Sequence, residues 1–274
     1  MLLMLVFFCT ACGVRGENAD SYFNNGCDNA SKGQYDIAIE NYNKAIELDP
    51  KYVDAYYRRG NVYFSKGQYD LAIRDYNKAI ELNPKHVDAL DNRGSVYFSK
   101  GQYDLAIADY NKAIEIDPQD ACAYYDRGKV HDKKGQSEAA IADYSKAIEI
   151  DPQNADFYTN LGNIYFSQGK YDLAIADYNK AIEIDPKHSN GYKNRAVLYG
   201  LQSKNDLAIA DYNKAIEIDP KQSKLYLNKA IICEMTGYKS EAIKAYTLFL
   251  RYASNTDPDI KRAQYRIKTL GGTI

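Results

Sequence analysis

Residues 104–118 read DLAIADYNKAIEIDP, and the same stretch returns letter for letter at 172–186 and at 206–220. Pro50, Pro84, Pro118, Pro152, Pro186 and Pro220 follow one another at intervals of 34 residues. A constant period of this length marks a chain that uses one supersecondary unit many times. Inside one period, Tyr69, Ala72, Ile73, Tyr76, Ala79 and Ile80 recur at three- and four-residue steps, which is the stripe of an amphipathic helix. Tyr56, Gly60 and Tyr63 share a face of a preceding helix. Gly67 stands where that helix should stop, because glycine tolerates the left-handed cap conformation. Asp70 falls in the first turn of the second helix, near its positive end. The boundary proline ends that helix, since it has no N–H and restrains the residue before it. Each period is therefore a helix–turn–helix. Neither helix can bury its apolar face alone, so neighbouring units must stack.

The residues within the period resemble the tetratricopeptide repeat (TPR). Counted from Val53, the family's aromatic, Gly, aromatic, Ala, aromatic, Ala and Pro positions are filled by Tyr56, Gly60, Tyr63, Ala72, Tyr76, Ala79 and Pro84. Similar sets begin at Ala19, Val87, Ala121, Ala155, Ser189 and Ser223, giving repeats at 19–52, 53–86, 87–120, 121–154, 155–188, 189–222 and 223–256. The resemblance implies an all-α fold, a right-handed α-solenoid of about seven 34-residue repeats. The chain departs from the family in places. Tyr takes the place of the usual Trp at the first aromatic site, and Ala196 and Ala230 replace the packing Gly in the last two repeats. Phe249 replaces the second small residue in repeat seven, whose closing Pro is missing. Beyond it, Ile260, Ala263, Ile267 and Leu270 form a further apolar stripe, with Lys261, Arg262, Arg266 and Lys268 at other positions. A C-terminal capping helix over 259–270 fits this pattern, and a basic amphipathic helix that touches a membrane or an acidic partner is the alternative.

Charge also follows the period. Arg59, Arg93, Arg127 and Arg195 stand where the family usually has Leu, and Asp75, Asp109, Asp143 and Asp211 follow sixteen residues later. This register predicts partly buried Arg–Asp pairs between the two helices of one repeat, reached by the long Arg stem. Repeat five has Leu161 with Asp177, and that carboxylate is expected in solvent.

Lys plus Arg number 35 and Asp plus Glu 37, for a net charge of −2. Nucleic acid is excluded as the main partner, because phosphate binding needs a concentrated basic surface. The first eleven residues are uncharged and mostly apolar. Thr10-Ala11-Cys12 resembles the end of a bacterial lipobox, which implies a signal peptide over 1–11, lipidation of Cys12 and a linker over 12–18. Cys9 stands where an aliphatic residue is usual, and no basic residue precedes the run; a secretory signal or an uncleaved apolar N-terminus are the alternatives. Lipid-anchored, periplasmic or secreted placement in a bacterial envelope follows from the first two readings, and a cytoplasmic one from the third. Cys27, Cys122 and Cys233 are too scattered for a disulfide framework or metal site.

In the TPR family the first helices line a concave groove in which peptides lie. Carried across, the groove positions include Asp54, Tyr57, Asn61 and Phe64, then Asp88, Asp91 and Phe98. Tyr125 and Lys129, Asn163 and Phe166, Lys193 and finally Lys224 continue the series. The N-terminal half of this groove is acidic and aromatic, and the C-terminal half is more basic and apolar. A segment basic at one end and acidic at the other would complement it. Some TPR co-chaperones clamp a carboxylate from this face. Asn163, Asn194 and Lys224 match three of those positions, but Thr159 and Asn228 stand where Lys and Arg are needed, which leaves such a clamp weak.

No Gly-rich phosphate loop, metal-ligand cluster or nucleophile beside a base is spaced as catalysis requires, and the repeats leave no room for another domain. The chain is therefore expected to be a non-catalytic adaptor for a protein or peptide, with no cofactor. An open groove does not suit a small-molecule substrate. A structural, self-associating envelope lipoprotein is the other class.

Overall fold

The computed structural model describes residues 18–273. The leader over 1–11, Cys12 and the linker up to residue 17 lie outside the described residues. Every regular element among the described residues is a helix. The chain divides into two compact units at Pro118 and Gln119.

In the first unit, α1 (Ala19–Ser31) pairs with α2 (Tyr35–Leu48), α3 (Val53–Ser65) with α4 (Tyr69–Leu82), and α5 (Val87–Ser99) with α6 (Tyr103–Ile116). In the second, α7 (Ala121–Lys133) pairs with α8 (Ser137–Ile150), and α9 (Ala155–Ser167) with α10 (Tyr171–Ile184). The next hairpins are α11 (Ser189–Leu201) with α12 (Asn205–Ile218) and α13 (Ser223–Met235) with α14 (Lys239–Tyr252); α15 (Ile260–Thr269) packs on α14. Within each unit the second helix of one hairpin packs on the first helix of the next. This is an α-solenoid built from helical hairpins.

Local chemistry sets the ends. The residue before each boundary proline is extended, as at Asp117 with φ −126° and ψ 94°, where the pyrrolidine ring disfavours helix. The turn inside a hairpin requires one left-handed residue. Gly169 supplies it at φ 72°, but in the α11–α12 hairpin Ser203 is forced to φ 58°, which a Cβ makes costly.

The core of each of the first five hairpins is a ring on bare backbone. Tyr76 is fully buried, and a Cβ added at Gly60 would fall 2.8 Å from its Cε1. Tyr110 against Gly94, Tyr144 against Gly128 and Tyr178 against Gly162 repeat the arrangement. Ala72 and Ala79, with their counterparts along the chain, are buried beside these rings.

The Arg–Asp register forms pairs. Arg59 donates Nε to Asp75 Oδ2 at 2.7 Å and Nη2 to Oδ1 at 2.8 Å. Arg93 with Asp109, Arg127 with Asp143 and Arg195 with Asp211 do the same, and all four carboxylates are buried. The third guanidinium nitrogen reaches back one repeat, from Arg59 to Asn43, from Arg93 to Asn77 and from Arg195 to Asn179. Each of these arginines thus ties three helices. Asp177 departs from the expectation of solvent: its Oδ2 is buried and has no hydrogen-bond partner. Leu161 contributes bulk there but no donor.

Helix α15 buries Ala263 and Ile267 on α14, with Ile260 and Leu270 partly buried at the edges. It is pinned by an Arg266–Glu234 ion pair, while Lys261, Arg262 and Lys268 face solvent.

Two stability changes follow. Ser203→Gly relieves the left-handed serine and should raise the urea midpoint by an amount worth about 0.5–1 kcal/mol. Arg93→Leu strands the buried Asp109 and should cost about 3–5 kcal/mol, most of which Arg93→Leu/Asp109→Leu should restore. A double variant as unstable as the single one would contradict this account of the pair.

Candidate functional site

The first helices of successive hairpins also pack on each other, α1 on α3 and α3 on α5 in the first unit, α9 on α11 and α11 on α13 in the second. The groove positions lie on these first helices and on α7, and they divide into three kinds.

Some are spent on architecture. Asn61 Oδ1 accepts a hydrogen bond from the buried Tyr76 hydroxyl at 2.7 Å and another from Asn92 at 3.0 Å. Asn92 also donates to the Tyr57 hydroxyl at 3.1 Å. In the second unit Asn163 repeats this role, accepting from Tyr178 at 2.9 Å and from Asn194 at 2.8 Å. A buried phenol favours a partner, and the amide one residue beyond the packing glycine lies within reach; in the α7–α8 hairpin, where Lys129 takes that place, the buried Tyr144 hydroxyl has none. Asn163 and Asn194 are therefore occupied by each other.

A second kind is neutralised. Lys224 Nζ donates to Asp257 at 3.0 Å and to Asp259 at 2.7 Å, two carboxylates just ahead of the capping helix, and they hold its pKa up. Lys193 is half-buried, donates to Asn190 at 2.8 Å, and burial lowers its pKa. Lys129 donates to Asp126 at 2.7 Å and lies over the Tyr125 ring. Lys224 and Lys129 are thus engaged in ion pairs, and Lys193 is partly withdrawn from solvent.

The third kind remains presented. Asp54 and Asp88 are exposed, and Asp91 is half-buried. The Tyr57 ring packs at a tilt against His86 at 4.8 Å, and His86 Nε2 lies 3.9 Å from Asp54. Tyr125 packs on Phe157 at 4.8 Å and accepts a hydrogen bond from Asn160; burial raises its hydroxyl pKa to about 12. Phe64, Phe98 and Phe166 are half-buried and lean on Tyr69, Tyr103 and Tyr171 respectively, at 5.8, 5.8 and 6.0 Å.

The structure adds residues that the repeat register alone did not single out. The phenylalanine column is interrupted by Ala30, Asp132, Gly200 and Glu234, and a hollow opens at the two small residues, Ala30 and Gly200. The first, about 420 Å³, lies between α1 and α3 and is lined by Cys27, Ala30, Tyr35, Arg58 and Ser65 among others. The second, about 310 Å³, lies between α11 and α13, with Val197, Leu201, Ile231, Ile232 and Met235 around it. Leu201 is 60% and Met235 69% exposed, so the rim of this hollow is apolar, while Tyr212 and Asn228 also line it. Glycine is what keeps it open, since a Cβ at Gly200 would sit 2.8 Å from Ile232. The signal was present in the sequence as a small residue in an aromatic column.

Profiles of the TPR repeat match residues 30–65, 94–135 and 133–166. Tetratricopeptide-repeat profiles match 53–86, 155–188 and 189–222, and 75–108. No curated protein matches the chain in sequence. Among solved structures, the crystal structure of MamA is 33% identical, with TM-score 0.54, over 60% of this chain and 96% of that one. YrrB, described as a TPR protein with an unusual peptide-binding site, is 26% identical with TM-score 0.53, over 69% and 97%. A tetratricopeptide repeat protein from Parabacteroides merdae ATCC 43184 shares the fold at 22% identity and TM-score 0.69, over 93% and 99% of the two chains. Matched along most of its length by these profiles, the chain belongs to the tetratricopeptide-repeat family.

Proposed function

We propose that the protein is a non-catalytic scaffold that binds a protein segment on the face of its first helices. The observation that carries this reading is the open apolar hollow between α11 and α13. Leu201 and Met235 are left largely in water at its rim, and exposed apolar surface set in a concavity is the usual mark of a docking site. Insertion of a Leu-, Met- or Phe-sized side chain would remove that surface from water at about 25 cal/mol per Å². On the first unit, the exposed carboxylates of Asp54 and Asp88, with the Tyr57 ring on the same helix as Asp54, suit a basic residue of the partner. A segment bound on the second unit is accordingly apolar where it meets α11 and α13, and one bound on the first unit is basic where it meets α3 and α5. YrrB, a similar TPR protein with a peptide-binding site, supports peptide recognition as the mode. Cys12 as a lipid anchor would hold the scaffold at a bacterial envelope membrane. Nucleic acid and small-molecule substrates have no part in this reading.

A crosslinking pull-down from native membranes tests it. The full-length chain is compared with Tyr57→Ala/Phe98→Ala/Phe166→Ala and with Ile231→Gln/Met235→Gln, all checked for equal helicity. Loss of the captured partner in both variants, by about tenfold or more, is expected from the removal of anchor residues worth about 1.4 kcal/mol or more. Equal capture by all three would place binding on another face. A captured species that is only further copies of this chain would favour the self-associating role.

A further inference from the structure

Four hairpins hold a buried carboxylate by two hydrogen bonds from one guanidinium, and Asp177 stands at the same register without one. Two partners are changed together. Leu161 replaces the arginine of α9, and Ser145 of α8 replaces the asparagine that elsewhere accepts the third guanidinium nitrogen. The tie that Arg195 makes from α11 to both α10 and α12 therefore has no counterpart from α9 to α8 and α10. Asp177 Oδ2 is left buried and without a hydrogen bond.

Ionisable groups on each surrounding helix are committed elsewhere, while the Tyr144 hydroxyl of α8 is buried with no hydrogen-bond partner. On α9, Asp156 lies 3.8 Å from His188, Tyr158 donates to the Pro152 carbonyl, and Tyr165 lies under Lys170. On α10 itself, Tyr178 donates to Asn163 and Lys180 pairs with Glu183. On α11, Lys193 donates to Asn190, and Arg195 is held by Asn179 and Asp211. On α8, Asp143 is held by Arg127 and Lys146 pairs with Glu149. A negative charge on Asp177 would have no counter-charge.

We propose that the α9–α10 hairpin is a pH-dependent weak point of the second unit, with Asp177 as its titrating group. Burial pushes this carboxyl up to about 7, whereas an aspartate in an opened chain ionises near ~4. The opened hairpin therefore sheds its proton well before the closed one does. Closure is strongest below about pH 4, weakens as pH rises between these two values, and stays weak above about 7. Because α9 carries Asn163 and Phe166, the part of the binding face they form loosens with it.

Hydrogen–deuterium exchange of the full chain between about pH 5 and pH 8, corrected for intrinsic rates, reads the opening directly. Protection of the α9 and α10 amides should fall about tenfold or more across that range, while that of α11 and α12, closed by Arg195, should not. Asp177→Asn should hold the α9–α10 protection level. So should Ser145→Asn/Leu161→Arg, which rebuilds the missing tie and carries the comparison if the first variant fails to fold. Flat protection in the wild type, or an undiminished decline in either variant, would overturn the proposal.

Discussion

The contact on which the rest depends is a tyrosine ring laid against a first-helix backbone that has no side chain. Tyr76 on Gly60 and Tyr178 on Gly162 bring the two helices of a hairpin so close that even a methyl group would meet the ring at 2.8 Å. That approach fixes how the helices cross, and with it which residues face each other. The last two hairpins keep the ring buried beside Ala196 and Ala230. Large rings and small facing residues fill the space between helices as an interior of native density requires.

Two polar consequences follow from the same approach. The ring carries its hydroxyl to the binding face, where Asn61 or Asn163 meets it, so positions that look available for a ligand are consumed by the core. Close helices also let an arginine stem span from a first helix to Asp and Asn on the second helices around it. These buried ion pairs are better regarded as register devices than as a source of stability, because desolvation offsets most of the Coulomb gain. Where one member is replaced, as at Leu161, the cost of the remaining charge is left uncompensated.

The binding face takes its character from exceptions to the repeat. Phe64, Phe98 and Phe166 fill their own column and lean on the tyrosines that open the next helix. Ala30 and Gly200 leave it open. From α2 to α12 the second helices carry nearly the same sequence, so their solvent face offers little to distinguish one partner from another. The first helices vary, and their variation produces one mixed hollow, one apolar hollow and an acidic rim at Asp54 and Asp88.

The hairpins, their ends and their stacking were legible in the sequence because they rest on local and periodic physics. Proline stops a helix wherever it stands, glycine permits a left-handed turn, and an apolar stripe must be covered. The Arg–Asp pairs were legible for the same reason, since a spacing of sixteen residues across one hairpin is a fixed geometry. What became of single side chains was decided by tertiary structure. Lys224 looks like a free groove cation until Asp257 and Asp259, more than thirty residues on, are folded beside it. Asp177 looks solvated until folding shuts its Oδ2 away from water. Charge and exposure depend on neighbours that no period specifies, so the sequence determined the frame and only the packed structure decided which of its polar groups remain available to a partner.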